Sequence, residues 1–319
     1  MKKKTKGKLI RYIFFLVIVI AALATSYFLD FSDNINIQGN KDVNTIVDVS
    51  KNNDVSTSMV EPKLQIHYID VGQADAILIK QNEHFMLIDA GKNDTEESLL
   101  NYLRELGVSK FDYIIGTHVH EDHIGGMDKV IENFDIENIF FPKQTSTTKT
   151  FENFAKAVQA KNKKLYAPSS KETFTLGEAS FEILAPNSSE YKEANDYSIV
   201  VKLKYKNKSF LFMGDAEEVS EKEILDNNLD VKADVLKIGH HGSKTSTSTE
   251  FLEKVDPSLA VISVGKDNSY KHPSKETMVR LQASSIPVYR TDESGTIILN
   301  CDGDKISLNV EEGSYEYGK

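Results

Sequence analysis

Cysteine is all but absent. One residue in 319, Cys301, is a cysteine, so no disulfide can close within the chain and no thiolate-rich zinc module exists. Cys301 reads as a small, half-buried residue of a C-terminal strand, and no cysteine near the N-terminus is placed to carry a lipid. Positive charge is scarce too. The formal net charge is -10, and residues 1–29 hold six bases (Lys2, Lys3, Lys4, Lys6, Lys8, Arg11) and no acid. The remainder sets 32 bases against 48 acids, a net of -16. Phosphate backbones are held by Lys and Arg displacing counterions, so an acidic body excludes a general nucleic-acid coat protein. No short-period repeat is present. The apolar fraction of 40% is ordinary and sufficient for a sizeable core.

Long apolar runs are missing with one exception, YIFFLVIVIAALATSYFL at residues 12–29, eighteen residues without a charge. About 20 apolar residues span a bilayer, and the basic flank MKKKTKGKLIR stays on the cytoplasmic side. The expectation is a signal anchor over residues 1–30, a single transmembrane helix in the cell membrane with the body extracytoplasmic. Ala22-Leu23-Ala24 looks like a small-residue cleavage site, and cleavage there would release a secreted body; the apolar run continues past that site, which favours the uncleaved anchor. Residues 31–62, rich in Asn, Asp, Ser, Thr and Val, read as a polar linker. The body covers residues 63–319.

Short β-type runs open the body: LQIHYID (64–70), AILIK (76–80) and FMLIDA (85–90). TEESLLNYLRELG (95–107) predicts a helix. Thr95 and Ser98 form a capping-box pattern, Leu99, Leu100, Leu103 and Leu106 fall at helical spacing, and Gly107 is the stop. FDYIIGT (111–117) is a buried-strand run, followed by the helical GGMDKVIENF, the strand NIFF and the helix TFENFAKAVQAKN. After Lys164 the strands ETFTL, SFEILA, SIVVKLKY and SFLFMG precede the helix AEEVSEKEILDN and the strand ADVLKIG. The tail alternates SLAVISVG, SKETMVRLQAS, IPVYR and GTIIL. Strand-rich blocks each followed by helices, twice over, predict an α+β architecture of two packed sheets with helices on both outer faces.

Histidine is also rare, eight in all, yet GTHVHEDHIGG (116–126) holds three of them beside two acids. YIIGT is a strand, so His118 sits just past a strand end. In an extended segment alternate side chains share a side. His118, His120 and Asp122 then converge, and His123 swings in as the chain turns. Gly125 and Gly126 allow close backbone approach. Imidazole and carboxylate hold zinc, iron or manganese where thiolate is absent. Four such ligands in six residues cannot all reach one tetrahedral ion. Two pairs can, on two ions about 3.5–4 Å apart. His67, inside a strand, reads as a packed side chain, and His84, in a tight turn, as a solvated one.

THVHEDHIGG resembles the metal signature of the metallo-β-lactamase superfamily, whose members fold as a four-layer αββα sandwich with metals at one edge of the two sheets. IDVGQADAILI (69–79), LIDAG (87–91), NDYSIVVKL (195–203), FLFMGDAE (210–217), LKIGHHGSKTSTS (236–248) and YKHPS (270–274) extend the likeness. Together they resemble the hydrolase domain of ComEC-type DNA-uptake proteins and its stand-alone relatives, from about Lys63 to Leu308, with Ala74 where that branch usually has Gly. The resemblance implies that His118 and His120 hold one metal and that Asp122 and His123, completed by His240, hold the other. Asp215 would bridge the two. His241 would contact substrate or donate a proton. His272 would face a substrate phosphate, with Ser243 and Ser274 as donors. Asp75 and Asp89 would orient histidine ring N–H groups. Many superfamily members place a third histidine on the first metal. This chain has none between His123 and His240, which leaves Asn195, Asp196 or water for that position.

The implied cofactors are two divalent ions, zinc or manganese, an oxygen-richer site shifting preference toward manganese. The implied chemistry is hydrolysis by a hydroxide shared between the ions, with catalytic roles for Asp122, Asp215, His241 and His272. The expected substrate is a phosphodiester, DNA or an envelope component, met outside the cell, with the membrane as the other partner and no protein partner expected. The alternatives are a lactam, lactone or thioester hydrolase on the same scaffold and a metal-stabilised binding module without turnover.

Overall fold

The computed structural model describes residues 64–319. The expected anchor over 1–30 and linker over 31–62 lie outside the described residues. Among the described residues no helix is long and apolar enough to cross a membrane.

The described strands form one eight-stranded and one seven-stranded sheet. In chain order β1 (Leu64–Tyr68), β2 (Ile77–Gln81), β3 (His84–Ile88), β4 (Lys110–Ile115), β5 (Asp135–Phe140) and β6 (Leu165–Tyr166) build the first. β7 (Thr173–Leu176), β8 (Ala179–Ala185), β9 (Val200–Tyr205), β10 (Lys208–Phe212), β11 (Val235–Lys237), β12 (Leu259–Ile262) and β13 (Val288–Arg290) build the second. The chain then returns to the first sheet with β14 (Ile297–Cys301), paired antiparallel to β1, and β15 (Ile306–Leu308). Each sheet is part antiparallel and part parallel. The first is parallel across β3, β4, β5 and β6, the second across β10, β11, β12 and β13.

The strand alternation explains the layering. Ile66 and Tyr68 of β1, Ile77 and Ile79 of β2, and Met86 and Ile88 of β3 face Val201, Leu203, Phe210 and Phe212 across the inter-sheet layer. The intervening Leu78 and Leu87 turn outward under Leu99, Leu103, Met127, Phe151 and Phe154 of the helices Glu96–Glu105, Met127–Asn133 and Lys149–Ala160. On the other side Leu211, Leu236 and Ile262 lie under Ile224, Phe251, Val255, Met278 and Leu281 of the helices Glu218–Asp226, Thr249–Val255 and Lys275–Ala283. Parallel strands are buried on both faces, and each fully buried Leu, Ile or Phe contributes about 1.5–3 kcal/mol. The result is the αββα arrangement.

Several local expectations are corrected. Thr95 does not cap a box with Ser98. It ends a single turn, Asn93–Thr95, where its hydroxyl accepts from Lys92 N–H (3.1 Å) and donates to Lys92 O (2.9 Å), while Ser98 Oγ donates to Thr95 O. The Thr95 N–H is instead taken by Lys92 O (3.1 Å) in that turn. Cys301 is fully buried rather than half-buried, because β14 is an inner strand between β1 and β15. The helix Thr249–Val255 has no counterpart in the sequence reading; seven residues are too few for a clear helical period, and Ser248 accepting from Phe251 N–H starts it.

Candidate metal centre

The expected site residues gather beyond the carboxyl ends of parallel strands. Asp89 follows β3, His118 follows β4, Asp215 follows β10, and His240 and His241 follow β11. There the chains leave both sheets, and the gap between departing loops is the usual seat of a site in open parallel sheets.

Between His120 and Gly125 the chain is not extended. Glu121–Ile124 makes a helical turn, which corrects the expected alternation of His118, His120 and Asp122. The turn places Asp122 and His123 in one donor group while His118 and His120 fall in another, the two sharing Asp215. A Cβ on Gly125 would lie 2.4 Å from backbone atoms of Lys92 and Asn93, and one on Gly126 2.5 Å from Ala90 O. The glycine pair is what lets this turn pack on the β3 loop.

Asp122, His123, Asp215 and His241 make one group of donor atoms lying within 4.8 Å of one another; His118, His120 and Asp215 make a second. His241 Nε2 is 3.4 Å from Asp122 Oδ2 and 3.7 Å from Asp215 Oδ1. His123 Nε2 and His118 Nε2 are 3.2 and 3.9 Å from Asp215 Oδ2. Asp215 thus turns its two oxygens in different directions and belongs to both groups. His123 Nε2, His241 Nε2 and Asp215 Oδ1 are buried without a hydrogen bond. Such atoms cost about 1–3 kcal/mol each when left unsatisfied, and a cation placed among them would satisfy all three. Nitrogen and carboxylate donors without thiolate suit zinc, manganese or iron, so the residues fit the expected pair of divalent ions.

The two histidines that follow β11 are placed differently from one another. His241, not His240, joins Asp122, His123 and Asp215. His240 is partly exposed, points Nδ1 at Glu217 Oε1 (3.0 Å) and keeps Nε2 3.8 Å from Asp215 Oδ2. The cause is backbone: both residues take the left-handed conformation, with φ of 49° and 52°, and Gly242 follows at +82°, where a Cβ would strike Pro273 at 2.7 Å. Non-glycine residues held there store strain of about 1–3 kcal/mol each. That turn aims neighbouring rings along different directions, which spacing in sequence cannot convey.

Each inward imidazole is held from behind by its other nitrogen. His123 Nδ1 meets Asp89 Oδ2 at 2.7 Å, and Asp89 also accepts from Thr117 N–H and Oγ1–H, both at 2.8 Å. His118 Nδ1 meets Thr117 Oγ1 (3.1 Å) and Ser198 Oγ (3.4 Å). His241 Nδ1 donates to Ser263 O (3.0 Å), with Asp75 Oδ1 at 3.4 Å. Asp75 is paired with the buried Lys237 at 2.8 Å. Such backing fixes the tautomer and ring direction. Asp75 and Asp89 lie where ring N–H groups need partners. Thr117, Ser198, Ser263, Glu217 and Lys237 are given no role in the sequence reading, although all but Ser263 lie within four residues of singled-out positions.

Charge is densely coupled. Burial opposes the ionisation of Asp215, but His123 and His241 outweigh it and hold the carboxyl well below its usual range. Burial likewise opposes charge on His123, and Asp215 and Asp89 outweigh it, raising its pKa well above the ordinary value. His241 is lifted to about 10 against burial by Asp215, Asp122 and Asp75. His118 is lowered by burial and by repulsion from His123. Burial raises Asp75, but Lys237 and then His241 bring it down to about 2.

The remaining expected residues are dispersed. Asp196 is buried, its Oδ1 without a hydrogen-bond partner, and it joins neither group. Asn195 donates to Glu217 Oε1 (3.1 Å), and its Oδ1 is buried and unpaired. Ser274 accepts from Thr277 N–H and caps the helix Lys275–Ala283, so it is not free for a phosphate. Ser243 is nearly buried, with Oγ 2.9 Å from Thr245 Oγ1. His67 is packed, with Nδ1 2.8 Å from Tyr102 Oη. His84 is exposed but paired with Asp112 at 2.9 Å. His272 lies near the centre. Burial, then His240 and His241, lower its pKa to about 4, which favours the neutral ring. Gln73 Oε1 accepts from Gly265 N–H (3.0 Å), which turns its amide Nε2 toward His272 Nδ1 (3.4 Å). His272 therefore carries its proton on Nε2.

The pattern for the metallo-beta-lactamase superfamily matches residues 69–266. The chain belongs to that superfamily. It is 30% identical over 251 residues to ComE operon protein 3 of Bacillus subtilis, covering 73% of this chain and 32% of that protein. It is 30% identical over 253 residues to Recombination protein 2 of Haemophilus influenzae, covering 78% and 30%. The chain thus spans about a third of the length of these relatives, and their likeness to it is that of a ComEC-type metallo-β-lactamase domain. The metallo-beta-lactamase fold protein YhfI of Bacillus subtilis superposes with a TM-score of 0.52 at 14% identity, over 75% of this chain and 100% of that one, a likeness of fold alone. Within that superfamily, its buried His and Asp groups are of the kind that hold divalent ions.

Proposed function

We propose that the chain cleaves phosphodiesters, using two divalent ions, zinc or manganese. His118, His120 and Asp215 would hold one; Asp122, His123, Asp215 and His241 would hold the other. The observation that carries this reading is the convergence of buried, unpaired donor atoms on His123, His241 and Asp215. Bound there, such ions supply Lewis acidity and a nucleophilic water near neutral pH. The chain's own residues position the rest. Asp215 joins the two groups, and His272 offers its Nε2–H to a phosphoryl or leaving oxygen as a neutral hydrogen-bond donor. A relative named for recombination favours a phosphodiester backbone over a lactam. The acidic body favours a short substrate, a DNA end or an envelope component, over long nucleic acid. The sequence of residues 12–29 supports a membrane anchor that keeps the body outside the cell.

The test is turnover of bis(p-nitrophenyl) phosphate against nitrocefin by purified protein with added manganese or zinc. Phosphodiester cleavage that disappears in Asp215→Ala is expected; nitrocefin cleavage alone would reject the reading. The same phosphodiester supplied to intact cells should be cleaved outside them, and activity seen only after lysis would remove the outer-face assignment.

A further inference from the structure

The mouth of the centre carries an aromatic group that none of the chemistry above uses. Tyr270, 66% exposed, is the most open large hydrophobic side chain among the described residues. Its ring lies 5.8 Å from that of His272 at an interplanar angle of 26°. His272 in turn lies 6.4 Å from His241 at 27°, and His240 meets His272 edge-on at 5.4 Å. The rings of His241, His272 and Tyr270 therefore step outward from a buried donor group to solvent, each nearly parallel to the last.

The loop that carries Tyr270 is pinned. Asn268 Nδ2 donates to Gly265 O (2.9 Å) and His272 O (2.6 Å), and Asn268 Oδ1 accepts from His272 N–H (3.0 Å). From the C-terminal side, Gly318 N–H donates to Pro273 O (3.0 Å). An aromatic face kept in water on a fixed loop is a preorganised contact, because little loop entropy is lost when a ligand covers it. A flat apolar face prefers a flat partner, offset and near-parallel.

We propose that Tyr270 is a stacking platform for a nucleobase and that the substrate is a nucleoside phosphodiester, its ester at the donor groups and its base on Tyr270. This rests on the phosphodiesterase reading. One platform accommodates any base, since every base has a π-face, and it recognises a short substrate without a basic groove.

The experiment uses the full chain loaded with manganese and two esters sharing one leaving group, the p-nitrophenyl ester of thymidine 5′-monophosphate and methyl p-nitrophenyl phosphate. Wild type should show the lower KM for the nucleoside ester. In Tyr270→Ala that preference should shrink by roughly 5- to 100-fold, in line with the loss of one base–aromatic stack. Tyr270→Phe should keep it, as should Tyr317→Ala, which removes an exposed tyrosine of the C-terminal tail. An unchanged preference in Tyr270→Ala overturns the proposal. If neither ester is cleaved, the phosphodiesterase reading itself falls. Calorimetric titration with thymidine 5′-monophosphate then decides the platform: weaker binding to Tyr270→Ala than to Tyr270→Phe supports it, and equal affinity or no binding overturns it.

Discussion

At the scale of single residues the centre is a question of which nitrogen faces in. His118, His123 and His241 each give Nδ1 to a protein oxygen and present Nε2 to the donor group. His120 does the opposite, its Nδ1 lying 3.0 Å from His118 Nε2. The partner behind each ring sets this choice, so changing a partner should loosen a ligand without removing it. Asp89→Asn keeps the shape but takes away the charge that holds the His123 Nδ1 proton. We expect metal affinity to fall roughly 10- to 100-fold, read by competition with a chromophoric chelator, with the fold retained by circular dichroism. Unchanged affinity would mean that Asp89 does not orient His123.

At the scale of elements, β1 carries a titrating group that the centre does not use. His67 is buried between the sheet and the helix Glu96–Glu105, where Tyr102 meets it. Burial, with repulsion from Lys80, lowers its pKa from 6.5 to about 4. The unfolded chain therefore takes up this proton first as pH falls. The contribution of neutral His67 is complete above about pH 6.5 and is lost between 6.5 and 4, about 3 kcal/mol in all. Urea unfolding at pH 7 and pH 4.5 should show that decline, and His67→Leu should show a shallower one. Identical declines would place the acid sensitivity in other groups.

At the scale of the whole molecule, the centre depends on two sheets keeping their separation and angle. An aromatic cluster fastens them at one end: Tyr113 and Phe140 of the first sheet meet Phe181 and Phe174 of the second at centroid distances of 5.0 and 4.9 Å. Phe140 is nearly fully buried and touches Tyr113, Tyr166 and Phe174. Phe140→Ala should destabilise the protein by about 3–5 kcal/mol, the loss of its transfer energy plus a cavity spanning two sheets, measured by chemical denaturation. A loss under about 1 kcal/mol would show that the sheets are held together elsewhere. β14 adds a second tie, since the chain comes back from the second sheet to pair with β1.

Much of this was legible in the residues themselves. Alternating Ile and Leu in β1, β2 and β3 announce strands buried on one or both faces, and Leu99, Leu100 and Leu103 announce a helix, because side-chain periodicity follows from backbone geometry alone. His-x-His-x-Asp-His announces a metal centre because so many ligand side chains within six residues have no other common use. What the sequence alone could not decide is which histidine after β11 faces the centre. His240 and His241 are adjacent and chemically identical, and their roles follow from a left-handed backbone pair wedged against Pro273. Nor could it place Asp75 with Lys237, 162 residues apart, or set Asp215 between the two ligand groups. Those relations exist only where loops from two sheets meet, since local propensity specifies elements while long-range packing specifies which side chains share a space.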